Sequence, residues 1–150
     1  KLIDHAKNFD KVAIISQTTM SVEGYKRLID NVNSKLDSVF EEIPLALNKL
    51  DVKFGFVDTI CQPTKLRQSD TIEVTKESDV VIVIGGKNSS NTKELLATCK
   101  KLGKEAYMIQ DAGQLENGWF SGKEIVGVTA GASTPDITIN EVVERIKGFD

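Results

Sequence analysis

The segment Asp79–Ile84, DVVIVI, constrains the fold more than any other stretch, because after its first residue it is an unbroken β-branched apolar run. A strand with one wet face alternates apolar and polar residues, whereas a strand covered on both faces does not. A run this short is also far too brief to span a bilayer. A doubly covered strand is therefore expected, and the neighbouring sequence supplies the cover. Over Thr92–Leu102, Leu95, Cys99 and Leu102 recur at i, i+4 and i+7 with Leu96 beside them, and Gly103 is a natural helix stop. Glu105–Ile109 reads as the next strand and Glu124–Thr129 as another, with a weakly signalled short helix around Ala112–Glu116 between them. Thr134–Pro135 opens a last helix, Pro being favoured at the first helical position. Ile139, Val142, Val143 and Ile146 make its apolar stripe.

The first half alternates in the same way, less regularly. Lys11–Ser16 reads as a strand. Val22–Glu42 reads as a helix with a stripe of Tyr25, Leu28, Ile29, Val32, Leu36, Val39, Phe40 and Ile43, ended or kinked by Pro44. Lys53–Val57 is a strand and Lys65–Ser78 a helix. Strand–helix alternation implies an α/β fold with parallel sheets and right-handed crossovers. The loops after Ser16, Val57, Ile84 and Val128 should then lie at the carboxyl ends of strands, where open α/β sheets bind ligands.

Composition narrows the function classes. The 150 residues are 40% hydrophobic and 27% charged, ordinary for a globular protein. The formal net charge is -3 and the Lys and Arg are scattered, so the cationic footprint of a nucleic-acid binder is missing. No membrane partner is expected either. The chain opens on Lys1 with no signal-peptide pattern, which reads as a cut or processed start. Two cysteines, Cys61 and Cys99, do not make a disulfide framework, and a reducing, cytoplasmic setting is expected. The single histidine, His5, has no partner for a triad or a His-based metal site and reads as a surface residue.

Four loops remain as carriers of chemistry. They are Gln17–Thr19, Asp58–Thr64, Gly85–Thr92 and Thr129–Pro135. In the third, Gly85 and Gly86 permit a tight turn and close ligand approach. Ser89, Ser90 and Asn91 follow where a helix begins, and helix starts carry unpaired N–H groups that favour phosphate. The fourth repeats the pattern with Gly131, Ser133 and Thr134. Two such loops facing one crevice could hold a diphosphate with neutral donors. Ser, Asn and Thr before a helix are also ordinary N-caps. The P-loop ending and the G-x-G-x-x-G fingerprint are both absent. Cys61 lies in a polar loop, where an ordinary thiol and a metal ligand both remain open readings. Cys99 sits on an apolar helical stripe and reads as a small hydrophobe. Trp119 and Phe120 read as packing residues.

Several segments, in order, resemble the LytB/IspH family of 4-hydroxy-3-methylbut-2-enyl diphosphate reductases. Ser16-Gln17-Thr18-Thr19 is similar to the family's S/T-Q-T-T segment. Asp58-Thr59-Ile60-Cys61 with Arg67-Gln68 is similar to its D-T/D-I-C…R-Q segment. Gly86-Lys87-Asn88-Ser89-Ser90-Asn91 resembles its G-x-K-N-S-S-N loop. Gly127–Ser133 with Pro135 resembles its G-x-T-A-G-A-S-x-P loop. The resemblance runs from about Lys11 to the end and corresponds to the family's C-terminal portion.

The resemblance implies a two-electron removal of the substrate's 4-hydroxyl, giving isopentenyl and dimethylallyl diphosphate. It implies a 4Fe–4S cluster held by three cysteines with one iron open to the substrate oxygen. It makes Cys61 one cluster ligand, Ser89, Ser90, Asn91 and Ser133 the diphosphate ligands, and Thr18 a proton-relaying threonine. It also implies a small electron carrier such as ferredoxin or flavodoxin as partner. The other cluster cysteines, the pocket histidines and the acidic proton donor have no counterpart in these residues. Gln62-Pro63 differs from the commoner family residues, and the stretch from Thr19 to Asp58 is longer than the family's.

The fold expected from all this is α/β, with parallel sheets in one truncated and one complete lobe of a three-lobed reductase. Residues 1–57 would form the truncated middle lobe and residues 58–150 the C-terminal lobe. Such a piece alone should be inactive. The reading from another class is a non-redox phosphate- or diphosphate-binding module, and a third is a structural domain whose polar loops only cap helices.

Overall fold

The computed structural model describes residues 8–9, 12–36, 41–42 and 54–149. His5 lies outside them. The chain divides into two compact units, Lys1–Cys61 and Gln62–Asp150. The division falls after Cys61 instead of at Val57 because Asp58–Cys61 is tied into the first unit. Ile60 is buried against Tyr25 and Ile29, and the Cys61 N–H donates to the Thr18 carbonyl at 3.1 Å.

The first unit contains β1 (Val12–Ile15), α1 (Val22–Leu36), β2 (Glu41–Glu42) and β3 (Phe54–Val57). All strand pairs are parallel, in the order β1-β3-β2. Tyr25, Ile29 and Val32, at i, i+4 and i+7 of α1, are buried. They meet Val12, Ile14 and Phe56 of the sheet. The Tyr25 hydroxyl donates to the Val57 carbonyl at 2.8 Å, and its ring meets Phe56 edge-on at 6.1 Å. Two expectations need correction. Leu28 lies off the buried stripe and is exposed. The helix ends at Leu36, and Glu41–Glu42 pair with Gly55 and Phe56 as a strand. Strand pairing there is a backbone contact, which the two glutamate side chains do not advertise. Val39, Phe40, Ile43 and Pro44 lie outside the described residues.

The second unit contains α2 (Gln62–Glu77), β4 (Val80–Ile84), α3 (Ser90–Lys101), β5 (Glu105–Ile109), β6 (Val126–Ala130) and α4 (Asp136–Lys147), with short 3-10 turns at Ala112–Gln114 and Asn117–Phe120. The sheet is parallel, in the order β5-β4-β6. β4 is central and every one of its residues is fully buried, as its unbroken apolar run requires. Val81 and Val83 face Leu95 and Cys99 of α3. Ile82 and Ile84 face Val142 of α4 and Leu115. Trp119 stacks on Tyr107 with ring centroids 4.1 Å apart, which makes it part of the packing. The helix expected around Ala112–Glu116 is a single 3-10 turn capped by Asp111.

Helix α2 is unusual because its buried face is Thr64, Gln68, Thr71 and Thr75. These polar residues are accommodated by hydrogen bonds rather than by apolar contact. Thr75 Oγ1 donates to the Thr71 carbonyl at 2.6 Å, and the Thr71 and Thr129 hydroxyls lie 2.8 Å apart.

Asp79, just before β4, fastens the chain entering β6. Its Oδ2 accepts the N–H groups of Glu124 and Ile125, both at 2.9 Å. The Ile125 bond first, and the Glu124 bond second, hold its carboxyl below the ordinary value of 3.8. A depressed folded pKa means the stabilisation is present above 3.8 and lost as pH falls through the folded value. The stability gap between wild type and Asp79→Asn is therefore expected to be steady at neutral pH. It should close as the solution is acidified below 3.8, read from urea midpoints at each pH. A gap unchanged down to the acid limit would contradict this.

Candidate functional site

In the second unit the chain leaves β4 for β5 through α3 on one face of the sheet. It reaches β6, on the other side of β4, through the turns that pack with Leu115 on the opposite face. A reversal of this kind opens a crevice beyond the carboxyl ends of the strands. The loops after β4 and β6 border it, and they are joined. The Gly131 N–H donates to the Ile84 carbonyl at 2.8 Å, and Thr134 Oγ1 donates to the same oxygen at 3.1 Å. The structure thus brings the loop of Ser89, Ser90 and Asn91 beside the loop of Ser133.

Ser89 is the N-cap of α3, its Oγ accepting the Thr92 N–H at 3.2 Å. Because Ser89 closes the first turn, the helix starts at Ser90 rather than at the expected Thr92. A serine that accepts one bond still has its own O–H to donate. Ser90 and Ser133 are exposed. Asn91 is buried, and neither Nδ2 nor Oδ1 has a hydrogen-bond partner among the described residues. An unpaired buried polar group costs about 1–3 kcal/mol, and native structures retain such groups mainly where they serve a role. The first turn of α3 carries no acidic residue, so its positive dipole end is not neutralised. The start of α4 differs, since Asp136 lies in its first turn and Pro135 offers no side-chain cap. Of the two helix starts, that of α3 is therefore the more electropositive.

The glycines of the two loops differ in what surrounds them. A β-carbon at Gly86 would meet nothing within 4 Å, so this position does leave room for a ligand. A β-carbon at Gly85 would overlap Thr92 Oγ1, and one at Gly131 would lie 2.6 Å from the same atom. These two are glycines to make room for Thr92. Sequence reasoning also gave Arg67 no role. Its Nη1 donates to the Ala130 carbonyl at 3.0 Å, fixing the end of β6 just before Gly131. A groove of about 230 Å³ runs along this outer side of β6, lined by Arg67, Asp70, Val74 and Ile139 among others. None of the expected diphosphate residues lines it, so it is not the pocket inferred from sequence.

In the first unit the loops after β1 and β3 are stitched together in the same manner. Thr59 Oγ1 donates to the Ser16 carbonyl and accepts the Ser16 N–H at 2.9 Å. Thr18 lies in a turn closed by Met20 N–H to Gln17 carbonyl at 2.9 Å, and its side chain is exposed. Its carbonyl accepts the Cys61 N–H, which brings Thr18 and Cys61 together. Asp58 Oδ1 accepts the Ile60 N–H at 3.0 Å and shapes the approach to Cys61. Thr18 and Cys61 fall in one unit, Ser89, Ser90, Asn91 and Ser133 in the other.

The two cysteines differ in chemistry. Cys61 is half-buried in its loop. Cys99 is fully buried, its Sγ 3.2 Å from Thr75 Oγ1, and burial pushes its thiol above the ordinary range. Cys99 packs with Val81, Val83, Leu95 and Ala106, which makes it a packing residue. Among the described residues no group of three His, Cys, Asp or Glu could hold a metal ion. A three-cysteine cluster therefore does not fit this chain on its own, which offers one suitable thiol. Among the described residues no helix is long and apolar enough to cross a membrane.

Two loops joined at the switch point of a parallel sheet, one of them leading into a helix start with no acidic residue, define a parallel α/β unit with its polar loops gathered at one end. The chain belongs to the LytB protein family, whose sequence profile matches residues 1–147. It is 40% identical over 138 residues to the 4-hydroxy-3-methylbut-2-enyl diphosphate reductase of a Nitratiruptor species, covering 92% of this chain and 45% of that one. It is 41% identical over 143 residues to the reductase of the same name from Geobacter sulfurreducens, covering 95% and 45%. A solved structure of (E)-4-hydroxy-3-methyl-but-2-enyl diphosphate reductase, described as the terminal enzyme of the non-mevalonate pathway, matches with a TM-score of 0.59. Its identity is 37%, over 97% of this chain and 46% of that one. The Plasmodium falciparum reductase structure shares the fold, with a TM-score of 0.77 at 18% identity over 98% and 44%. The chain thus spans a little under half the length of these relatives.

Proposed function

We propose that this chain is the diphosphate-holding portion of a 4-hydroxy-3-methylbut-2-enyl diphosphate reductase. The observation that carries the reading is the start of α3, where a capped, acid-free helix end coincides with the unpaired buried amide of Asn91. In this reading Ser89, Ser90 and Asn91 hold the diphosphate from the third loop and Ser133 from the fourth. The α3 dipole favours the anion without a lysine or arginine in direct contact. Lys1–Cys61 belongs to a further lobe, in keeping with a chain that covers 45% of the Nitratiruptor relative. Thr18 supports the substrate's hydroxyl end and moves a proton there. Cys61 supplies one thiolate to an iron–sulfur cluster, whose chemistry when bound is electron delivery and activation of the leaving hydroxyl. The other thiolates come from outside this chain, and electrons arrive from a small carrier of the ferredoxin or flavodoxin type. With one suitable thiol, the chain by itself acts as a binder of diphosphate without redox turnover.

The test is calorimetric titration of the chain with inorganic pyrophosphate. Wild type should bind, and Ser89→Ala with Ser133→Ala should weaken binding by about 100-fold, which corresponds to two bonds to a charged group at about 1.5 kcal/mol each. Ser89→Ala also removes a helix cap worth about 1 kcal/mol, so melting temperatures are measured in parallel. Unchanged affinity in the double variant would reject the pocket.

A further inference from the structure

Resting on that reading of the pocket, we propose that Thr92 is a positioning residue that sets the spacing between the two diphosphate-bearing loops. Thr92 lies in the first turn of α3 and is 1% exposed. Its Oγ1 has no hydrogen-bond partner among the described residues, so none of them holds the side chain there by polar bonding. A β-carbon added to one glycine of either loop would run into it. Around Gly85, the atoms that a β-carbon would approach most closely all belong to Thr92. Around Gly131, the close approach is again Thr92 Oγ1, at 2.6 Å, with Thr134 Oγ1 next at 3.5 Å. One hydroxyl-bearing β-branch thus forms a common wall for both loops. Interiors are close-packed, so the volume of this one side chain fixes how far apart the two backbones lie. Gly85 leads into the loop of Ser89, Ser90 and Asn91, and Gly131 into the loop of Ser133. The helix that carries the third loop's donors therefore also carries the gauge for the fourth loop. A β-branched residue has few χ1 choices in a helix, which keeps that gauge stiff.

The wall makes a reciprocal prediction. Gly131→Ala should drive a methyl into Thr92 and weaken pyrophosphate binding. Thr92→Ala should let the loops close unevenly and weaken it as well, each by about tenfold, a size typical of coupled side chains in contact. Together the two changes put the new methyl of Gly131→Ala into the space of Thr92 Oγ1 and leave only the space of the Thr92 methyl unfilled, so the double variant should recover to within about threefold of wild type. Thr92→Val keeps the branch and removes only the unpaired hydroxyl, and it should bind nearly as wild type. All four chains are titrated with inorganic pyrophosphate, and their urea midpoints are measured alongside.

A purely structural role would lower stability in both single variants without restoring affinity in the double one. Wild-type binding with an unrescued double variant overturns the role of Thr92 and leaves the pocket standing. Thr92→Val binding as poorly as Thr92→Ala also overturns it, because the hydroxyl would then be a ligand contact rather than a wall. If wild type does not bind pyrophosphate, the pocket falls and this role falls with it. If the double variant fails to fold, Thr92→Val against Thr92→Ala decides alone.

Discussion

Replacing Asn91 with leucine should make this protein more resistant to urea while removing its affinity for pyrophosphate. Both amide atoms of Asn91 are buried and lack a partner among the described residues. Each such group costs about 1–3 kcal/mol when left unpaired, whereas an apolar side chain of similar shape carries no such cost. Leucine at this site should therefore add about 1–3 kcal/mol to the stability of the ligand-free protein, a noticeable share of the usual total of about 5–15 kcal/mol. Most core substitutions do the reverse, so the sign alone is informative. The same change deletes a donor and an acceptor beside the α3 start, and pyrophosphate affinity should fall by about 10–100-fold, as for bonds to a charged group. A variant that is less stable than wild type yet binds equally well would show that Asn91 serves the fold and not the ligand. Opposed movement of stability and binding is the pattern expected where a site is kept at the expense of the scaffold.

The second large effect concerns Cys61. A chimera joining this chain to the unmatched part of the Geobacter sulfurreducens reductase should take up iron and sulfide anaerobically and turn over substrate. Cys61→Ser in that chimera should lose the cluster's visible absorbance and bring turnover below detection. Cys99→Ser should keep both, because its thiol is buried on the sheet-facing side of α3 against Thr75. It should instead lower the melting temperature. Equal iron content in the Cys61→Ser and parent chimeras would remove Cys61 from the ligand set. Pyrophosphate titration separates this from the pocket, since Cys61→Ser should leave that affinity unchanged.

Where side-chain pattern dictates structure, the sequence was readable. The apolar run Val80–Ile84 is the central strand, and Leu95 and Cys99 do cover one face of it. Glu105–Ile109 is a strand with the expected bounds. Legibility failed where polar groups are buried in pairs. Helix α2 begins at Gln62, before the expected Lys65, and buries threonines. A threonine face looks solvent-exposed to any hydrophobicity argument. The short strand Glu41–Glu42 was hidden because its pairing with Gly55 and Phe56 is a backbone register that two glutamates in sequence do not signal. At the site, the loops and their glycines were legible as loop chemistry. That Gly85 and Gly131 accommodate Thr92, while Gly86 alone is open, depends on contacts between residues far apart in sequence. Arg67 stood in a motif, yet only the fold reveals its bond to the Ala130 carbonyl.

The position of β4 between β5 and β6 also has a consequence for biosynthesis. Its flank toward β5 can zip up as soon as α3 and Ile109 have been made. Its flank toward β6 stays open until Ala130 emerges. At about 5–20 residues per second, the interval from Ile84 to Ala130 lasts on the order of a few seconds. During it the most water-averse stretch of the nascent polypeptide presents a bare edge, a natural target for chaperones and a point at which stalled translation would seed aggregation.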